Sequence, residues 1–124
     1  MDPIAEMFSQ IKNAQGARHE KMTIFYSKIK LAILEILKSR QRIIDFRVVD
    51  LPSGQKKIEI DLNQNLIDIR RVSRPGRRVY TTAGNIPRPK RPQSMLVIST
   101  SKGMFEGEEA RKKGLGGELI AEIR

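Results

Sequence analysis

Apolar residues fall at helical spacing in the first third of the chain and partly alternate along much of the rest. Ile4, Met7, Phe8 and Ile11 recur at i, i+3, i+4 and i+7, one stripe of a helix. Asp2 suits the N-cap and Pro3 the first helical position, where a missing N–H costs nothing. Gly16 predicts the end of that helix. "EKMTIF" then reads as a short strand. Ser27 opens a second helix, in which Ile29, Ala32, Ile33, Ile36 and Leu37 form a stripe widened by Leu31 and Leu34. That breadth predicts burial on more than one side.

Beyond it, "IIDFRVVD" and "KKIEIDL" flank "PSGQ" and predict a β-hairpin. "NQN" at 63–65 reads as a short linker. "LIDIRRV" predicts a strand, "SRPG" a turn and "RRVY" a further strand. Three prolines, Pro87, Pro89 and Pro92, predict an extended loop over "AGNIPRPKRPQ". "MLVIST" reads as a central strand and "EGEEARKK" as a short helix, acids first and cations last, as the helix dipole favours. Gly114 caps it, and "ELIAEI" closes the chain as a strand. Helices dominate the first third and strands the second half. The expected fold is a mixture of α and β in one domain or two small lobes, with a division near 63–65.

Charge sharpens this picture. The 124 residues hold 24 Lys and Arg against 14 Asp and Glu. Between positions 69 and 105 there is no acid at all, and nine cations: Arg70, Arg71, Arg74, Arg77, Arg78, Arg88, Lys90, Arg91 and Lys102. The other 15 cations face all 14 acids, so nearly the whole excess lies in one window. Such concentration predicts a polyanionic partner, nucleic acid before an anionic membrane, because neutralised phosphates release condensed counterions. No apolar run reaches the ~18 residues of a membrane span. The N-terminus lacks a signal-peptide pattern, and zero cysteines exclude disulfides and thiolate metal sites. Together these predict a cytoplasmic protein without metal or cofactor.

The chemistry concentrates in "STSKG", residues 99–103. A phosphate-binding loop needs glycine before the lysine, and here Gly103 follows Lys102. A serine nucleophile needs a base, and the one histidine, His19, is far away in sequence. Two readings remain: a turn whose hydroxyls bond local backbone, or an RNA-contact loop. In the second, Ser99, Thr100 and Ser101 meet base edges and 2′-OH groups, Lys102 meets phosphate, and Gly103 admits close approach. "GLGG" at 114–117 lies between helix and strand, the reverse of a dinucleotide loop, and reads as a cap and tight turn. "RRVSRPGRR" sets five arginines around a rigid turn and favours RNA contact over a solvated edge. Tyr80 is an aromatic inside the basic window, open to stacking or to inward packing.

"DPIAEM", "RRVSRPGRRVY", "VISTSKG" and "EARKKGLGGELI" occur in this order. Together they resemble the bacterial form of the eighth small-subunit ribosomal protein, the S-eight family, over essentially the whole chain. The resemblance implies an α+β fold of two small lobes: an N-terminal α/β lobe, 1–63, and a C-terminal, mostly β, RNA-binding lobe, 64–124. It implies a non-catalytic constituent of the small ribosomal subunit, a primary binder of an irregular stem in the central domain of small-subunit rRNA. Such a protein aids platform assembly beside ribosomal proteins S-five and S-twelve. In some bacteria it also represses its own operon through a similar mRNA stem. The residues implied to touch RNA are Ser99, Thr100, Ser101, Lys102 and Gly103, with Tyr80 and Glu118 lining the same surface. Arg74, Arg77 and Arg78 add phosphate contacts, and Lys28 and Lys30 contribute from the N-terminal lobe.

Two departures stand out. The family carries a short helix and a Gly-x-Gly before the "STS" strand, where this chain has "PRPKRPQSM". It also carries glycine after the second helix, where this chain has "SRQRII", so a different cap geometry is expected there. The rival classes are an RNA-processing hydrolase using Lys102 or His19 and a free-standing translational repressor.

Overall fold

A computed structural model describes residues 2–64, 68–89, 91 and 93–124. Asn65 of the expected linker, Leu66 and Ile67 of the strand after it, and Lys90 and Pro92 of the proline-rich loop lie outside the described residues. The chain divides into two compact units, residues 3–67 and residues 68–124, the second joined by Met1 and Asp2.

The N-terminal unit runs α1 (Pro3–Gly16), β1 (Lys21–Phe25), α2 (Lys28–Ser39), β2 (Asp45–Asp50) and β3 (Lys56–Asp61). Its antiparallel sheet has the order β1-β3-β2. The apolar stripes explain this: Met7, Phe8 and Ile11 of α1 and Ile33, Leu34 and Leu37 of α2 are buried, as are Ile24, Ile58 and Ile60 of the sheet. Ser27 caps α2, its hydroxyl accepting from the Lys30 N–H at 3.1 Å. On the sheet's other face Arg47 is closed by two carboxylates. Its guanidinium donates to both oxygens of Asp61 at 3.0 Å and through Nε to Glu59 at 3.0 Å. This holds the Asp61 carboxyl below its ordinary value of 3.8. Lys38, 2.9 Å from Asp45, does the same there, helped by the Phe46 N–H.

The cap after α2 corrects one expectation. Gln41 sits in the left-handed region at φ 59°, and the Gln41 and Arg42 N–H groups bond back to the Lys38 and Leu37 carbonyls at 3.0 and 2.8 Å. That is the usual glycine-type helix end, adopted without glycine. Arg18, φ 60°, does the same beyond α1. The backbone bonds hold the geometry, at a local cost of about 1–2 kcal/mol for a residue with a Cβ.

The C-terminal unit contains β4 (Ile69–Arg71), β5 (Tyr80–Thr81), β6 (Met95–Thr100), β7 (Gly103–Glu106), α3 (Gly107–Lys112) and β8 (Gly117–Ile123). The sheet has the order β4-β8-β6-β7, and β5 pairs with β8 as well. β8 is therefore central, with β6 along one edge and β4 and β5 sharing the other. Ile86, Leu96, Ile98, Ala110 and Leu119 form its core, with Val72, Val79 and Phe105 packed on them. The α+β class expected from the sequence holds.

Two segments differ from expectation. Residues 83–85 of the supposed extended loop make a 3-10 turn (Ala83–Asn85), the Asn85 N–H bonding to the Thr82 carbonyl at 3.1 Å. The prolines begin only at Pro87, so nothing forbids that bond. Residues 101–102 form a tight connection into β7, a strand whose sequence, "GMFE", is too short to show alternation.

Candidate nucleic-acid interface

Among the described residues the basic window contains two hairpins, on either side of β8. In the first, Arg74 and Arg77 exchange backbone hydrogen bonds of 2.9 and 3.1 Å around Pro75 and Gly76. Gly76 has φ 85°, which with proline before it gives a type II turn. Its base is clipped by Ser73, fully buried, whose hydroxyl accepts from the Val79 N–H at 2.7 Å and donates to the Val79 carbonyl at 3.3 Å. Ser73 and Val79 also reach β8 from either side of the turn: the Ser73 N–H donates to the Leu119 carbonyl and the Leu119 N–H to the Val79 carbonyl. The residues between them project from the sheet, and Arg74 and Arg77 are exposed.

The five arginines of this segment have separate fates. Arg71 is nearly buried and donates to both Asp2 oxygens, at 2.8 and 3.3 Å, and to the Ile120 carbonyl at 2.6 Å. It fastens the fold. Arg70 pairs with Glu122 at 3.8 Å and Arg78 with Glu118 at 3.1 Å. Arg74 and Arg77 occupy the hairpin's outer end.

The second hairpin is the 99–103 segment. Thr100 and Gly103 close it, with Ser101 and Lys102 at its tip. The Thr100 hydroxyl donates to the Gly103 carbonyl at 2.7 Å and accepts from the Lys102 N–H at 3.2 Å, so Thr100 builds the turn. Among the described residues, the Ser99 and Ser101 hydroxyls make no hydrogen bond. Gly103 has φ 120°, a conformation that residues with a Cβ rarely adopt.

Strand register brings the remaining residues together. Tyr80 pairs with Glu118, Glu118 with Ser99, and Ser99 with Met104, across β5, β8, β6 and β7. Cross-strand partners present their side chains to one face, so these four form a row spanning roughly 15 Å. The other face carries Ile98, Leu119 and Phe105 of the core. Tyr80 is 69% exposed, which answers the inward-packing alternative. Glu118, mostly buried, has Arg78 on its carboxylate, so the row is not a repulsive spot in a basic surface.

"GLGG" contributes spacing that its cap reading did not anticipate. Gly114 ends α3, with the Gly114 and Leu115 N–H groups bonding to the Arg111 and Ala110 carbonyls. A Cβ on Gly117 would stand 2.0 Å from the Ser99 carbonyl oxygen, and one on Gly116 2.5 Å from that of Thr81. The start of β8 fits between Thr81 and Ser99 only as glycine. Lys28 and Lys30 belong to the N-terminal unit. They begin α2, and the Lys30 amine donates to the Phe25 carbonyl at 3.3 Å.

A surface of exposed arginines, free hydroxyls, one open aromatic ring and one neutralised carboxylate suits RNA, whose 2′-OH groups and unpaired bases need donors and acceptors together. The family model for ribosomal protein S8 matches residues 2–123. The chain belongs to the ribosomal protein S8 family. It is 43% identical over 127 residues to the small ribosomal subunit protein uS8 of Mycoplasmopsis pulmonis, covering 98% of this chain and 96% of that protein. The uS8 protein of Sorangium cellulosum is 44% identical over 128 residues, covering 98% and 97%. That of Corynebacterium urealyticum is 42% identical over 130 residues, covering 98% and 96%. The S8 family consists of structural, rRNA-binding ribosomal proteins and not enzymes, which disposes of the hydrolase rival.

Proposed function

We propose that this S8-family chain works in the cytoplasm as part of the small ribosomal subunit and recognises an irregular, internally looped stem in the central domain of its rRNA, so aiding platform assembly. The row Tyr80–Glu118–Ser99 is the observation that supports this most. Its ring can stack on an unpaired base or sugar. The Ser99 hydroxyl donates and accepts, and the Glu118 carboxylate accepts from a base amino group. Ser101 and Lys102 extend the row at the hairpin tip, and Gly103 with the Thr100-built turn presents them. Arg74, Arg77 and Arg78 grip phosphates and set register. Lys28 and Lys30 add phosphate contacts from the N-terminal unit. Ribosomal proteins S-five and S-twelve are the neighbours this placement implies.

Filter binding tests the recognition: the protein should bind an internally looped rRNA stem far more tightly than a regular duplex of equal length, and equal affinities would refute it. Sedimentation tests the setting. Co-migration with small subunits is expected; a chain found only on its own operon's mRNA would be a free-standing repressor.

A further inference from the structure

The N-terminal sheet carries a row of its own. Phe25 on β1 pairs with Lys57 on β3, and Lys57 with Val49 on β2. Ile24 and Ile58, their chain neighbours, are buried, so the row lies on the opposite, open face. Phe25 is 67% exposed, and among the described residues nothing covers its ring. The Lys57 amine stands 5.4 Å from the centre of that ring, a distance at which a cation steadies it. The backbone beneath is held from both sides. The Lys30 amine donates to the Phe25 carbonyl at 3.3 Å, and the Tyr26 N–H donates to the Lys56 carbonyl at 3.3 Å. Lys56 in turn stands 5.7 Å from the Tyr26 ring. Residues 25–34 and 50–57, which build this end of the unit, contain four lysines and one acid, Asp50. Glu59 belongs to the next row of the same face and is engaged by Arg47.

We infer that Phe25 is the base-stacking residue of the N-terminal unit, taking one unpaired nucleotide of RNA, with Lys56 and Lys57 joining Lys28 and Lys30 on its phosphates. The inference rests on the RNA reading above for Lys28 and Lys30, and it uses no residue of the row Tyr80–Glu118–Ser99. Four lysines attract any polyanion, and the ring decides which. Its face is electronegative, so it repels a carboxylate and accepts the flat face of a base. A regular duplex keeps its bases inside the stack, so the site selects unpaired RNA. Every base has such a face, and the site therefore tolerates sequence while demanding an open strand.

The test uses the absence of tryptophan from the chain. Phe25→Trp places a single fluorescent reporter in the full-length protein, and Trp stacks at least as well as Phe. An oligouridylate of about eight nucleotides, within the usual range of single-strand sites, should quench its emission. A regular RNA duplex of that length should quench it far less, and polyglutamate not at all. Phe25→Leu should bind the oligouridylate at least about fivefold more weakly, the lower end of one stacked base, with the salt slope kept. Lys56→Gln with Lys57→Gln should instead lower the slope by about 1.4, at about 0.7 for each single-strand phosphate. An unchanged unfolding midpoint in both Phe25 variants separates stacking from folding. A silent reporter overturns the inference, and equal quenching by polyglutamate overturns it in favour of an acidic protein segment. If the wild type prefers looped RNA while the reporter stays silent, Phe25 falls and the C-terminal row stands. If the reporter is quenched while the wild type shows no such preference, the row falls and Phe25 stands.

Discussion

Arg47 and the pair Arg74 and Arg77 all sit on β-hairpins, and they do opposite things. Arg47 lies on the N-terminal sheet with Glu59 directly across the strand pair and Asp61 one step along, and both carboxylates close on it. Arg74 and Arg77 lie beyond the clip of Ser73 and Val79, where the sheet has ended and no cross-strand acid is available. An arginine whose partner is supplied by register fastens the fold. An arginine pushed past the register stays exposed, where the proposed function has it meet phosphate. Arg71, inside the basic window yet tied to Asp2 and Ile120, shows that location in the fold decides the matter and not the local charge of the sequence.

The harshest way to break this comparison is to disturb the strand that carries the C-terminal interface. Gly117→Ala would force a Cβ to 2.0 Å from the Ser99 carbonyl, against backbone on a central strand pair. A loss of about 3 kcal/mol or more is expected in denaturant unfolding, together with loss of looped-stem preference. A mild change would mean that β8 and β6 tolerate separation.

A direct contrast is next. Arg74→Gln with Arg77→Gln should reduce the salt slope of RNA binding by about 2 and weaken binding at low salt by roughly tenfold or more. Arg47→Gln should leave both unchanged and lower the unfolding midpoint. Equal effects on RNA binding would erase the distinction between inward and outward arginines.

A smaller effect sharpens it from the N-terminal side. Gln41→Gly relieves a left-handed residue at φ 59° that already makes the proper helix-ending bonds. A gain of about 0.5–1 kcal/mol is expected, relief of strain less glycine's greater entropy loss, read as a melting temperature higher by a few degrees. RNA binding should be untouched.

Acid gives the gentlest probe. Asp61 and Asp45 are held below their ordinary carboxylate range by hydrogen bonds from Arg47 and Lys38. Their contribution is complete above the unfolded value of about 3.9 and is lost as pH falls through the lower, folded values. The urea midpoint should therefore decline below about pH 4. In Arg47→Gln it should decline less, because Asp61 no longer differs as much between folded and unfolded chains.

Much of this was legible beforehand. The 3.6-residue stripes of "IAEMFSQI" and "KIKLAILEIL" became α1 and α2 because burial repeats the same period, and the turn expected at "SRPG" closes a hairpin in the acid-free window. The five arginines of that window could not be sorted, since Asp2 and Glu118 are remote in sequence from Arg71 and Arg78 and only the folded chain joins them. The clip at Ser73 gave no signal beyond a serine two residues before Pro75. Gln41 was misleading for a physical reason: a left-handed cap usually announces itself by glycine, and here backbone bonds hold it without one. β7 was hidden because four residues cannot show a period. Gly116 and Gly117 looked like part of a turn, while their function is to let three strands approach.

The central claim is that free hydroxyls on the sheet row and hairpin tip read RNA shape while Thr100 only builds the turn. Its most direct test is the ratio of affinities for looped stem and regular duplex in Ser99→Ala with Ser101→Ala. The ratio should fall roughly thirtyfold, the value of two neutral hydrogen bonds at about 1 kcal/mol each, with duplex binding and the unfolding midpoint unchanged. A ratio equal to that of the wild type would contradict the account.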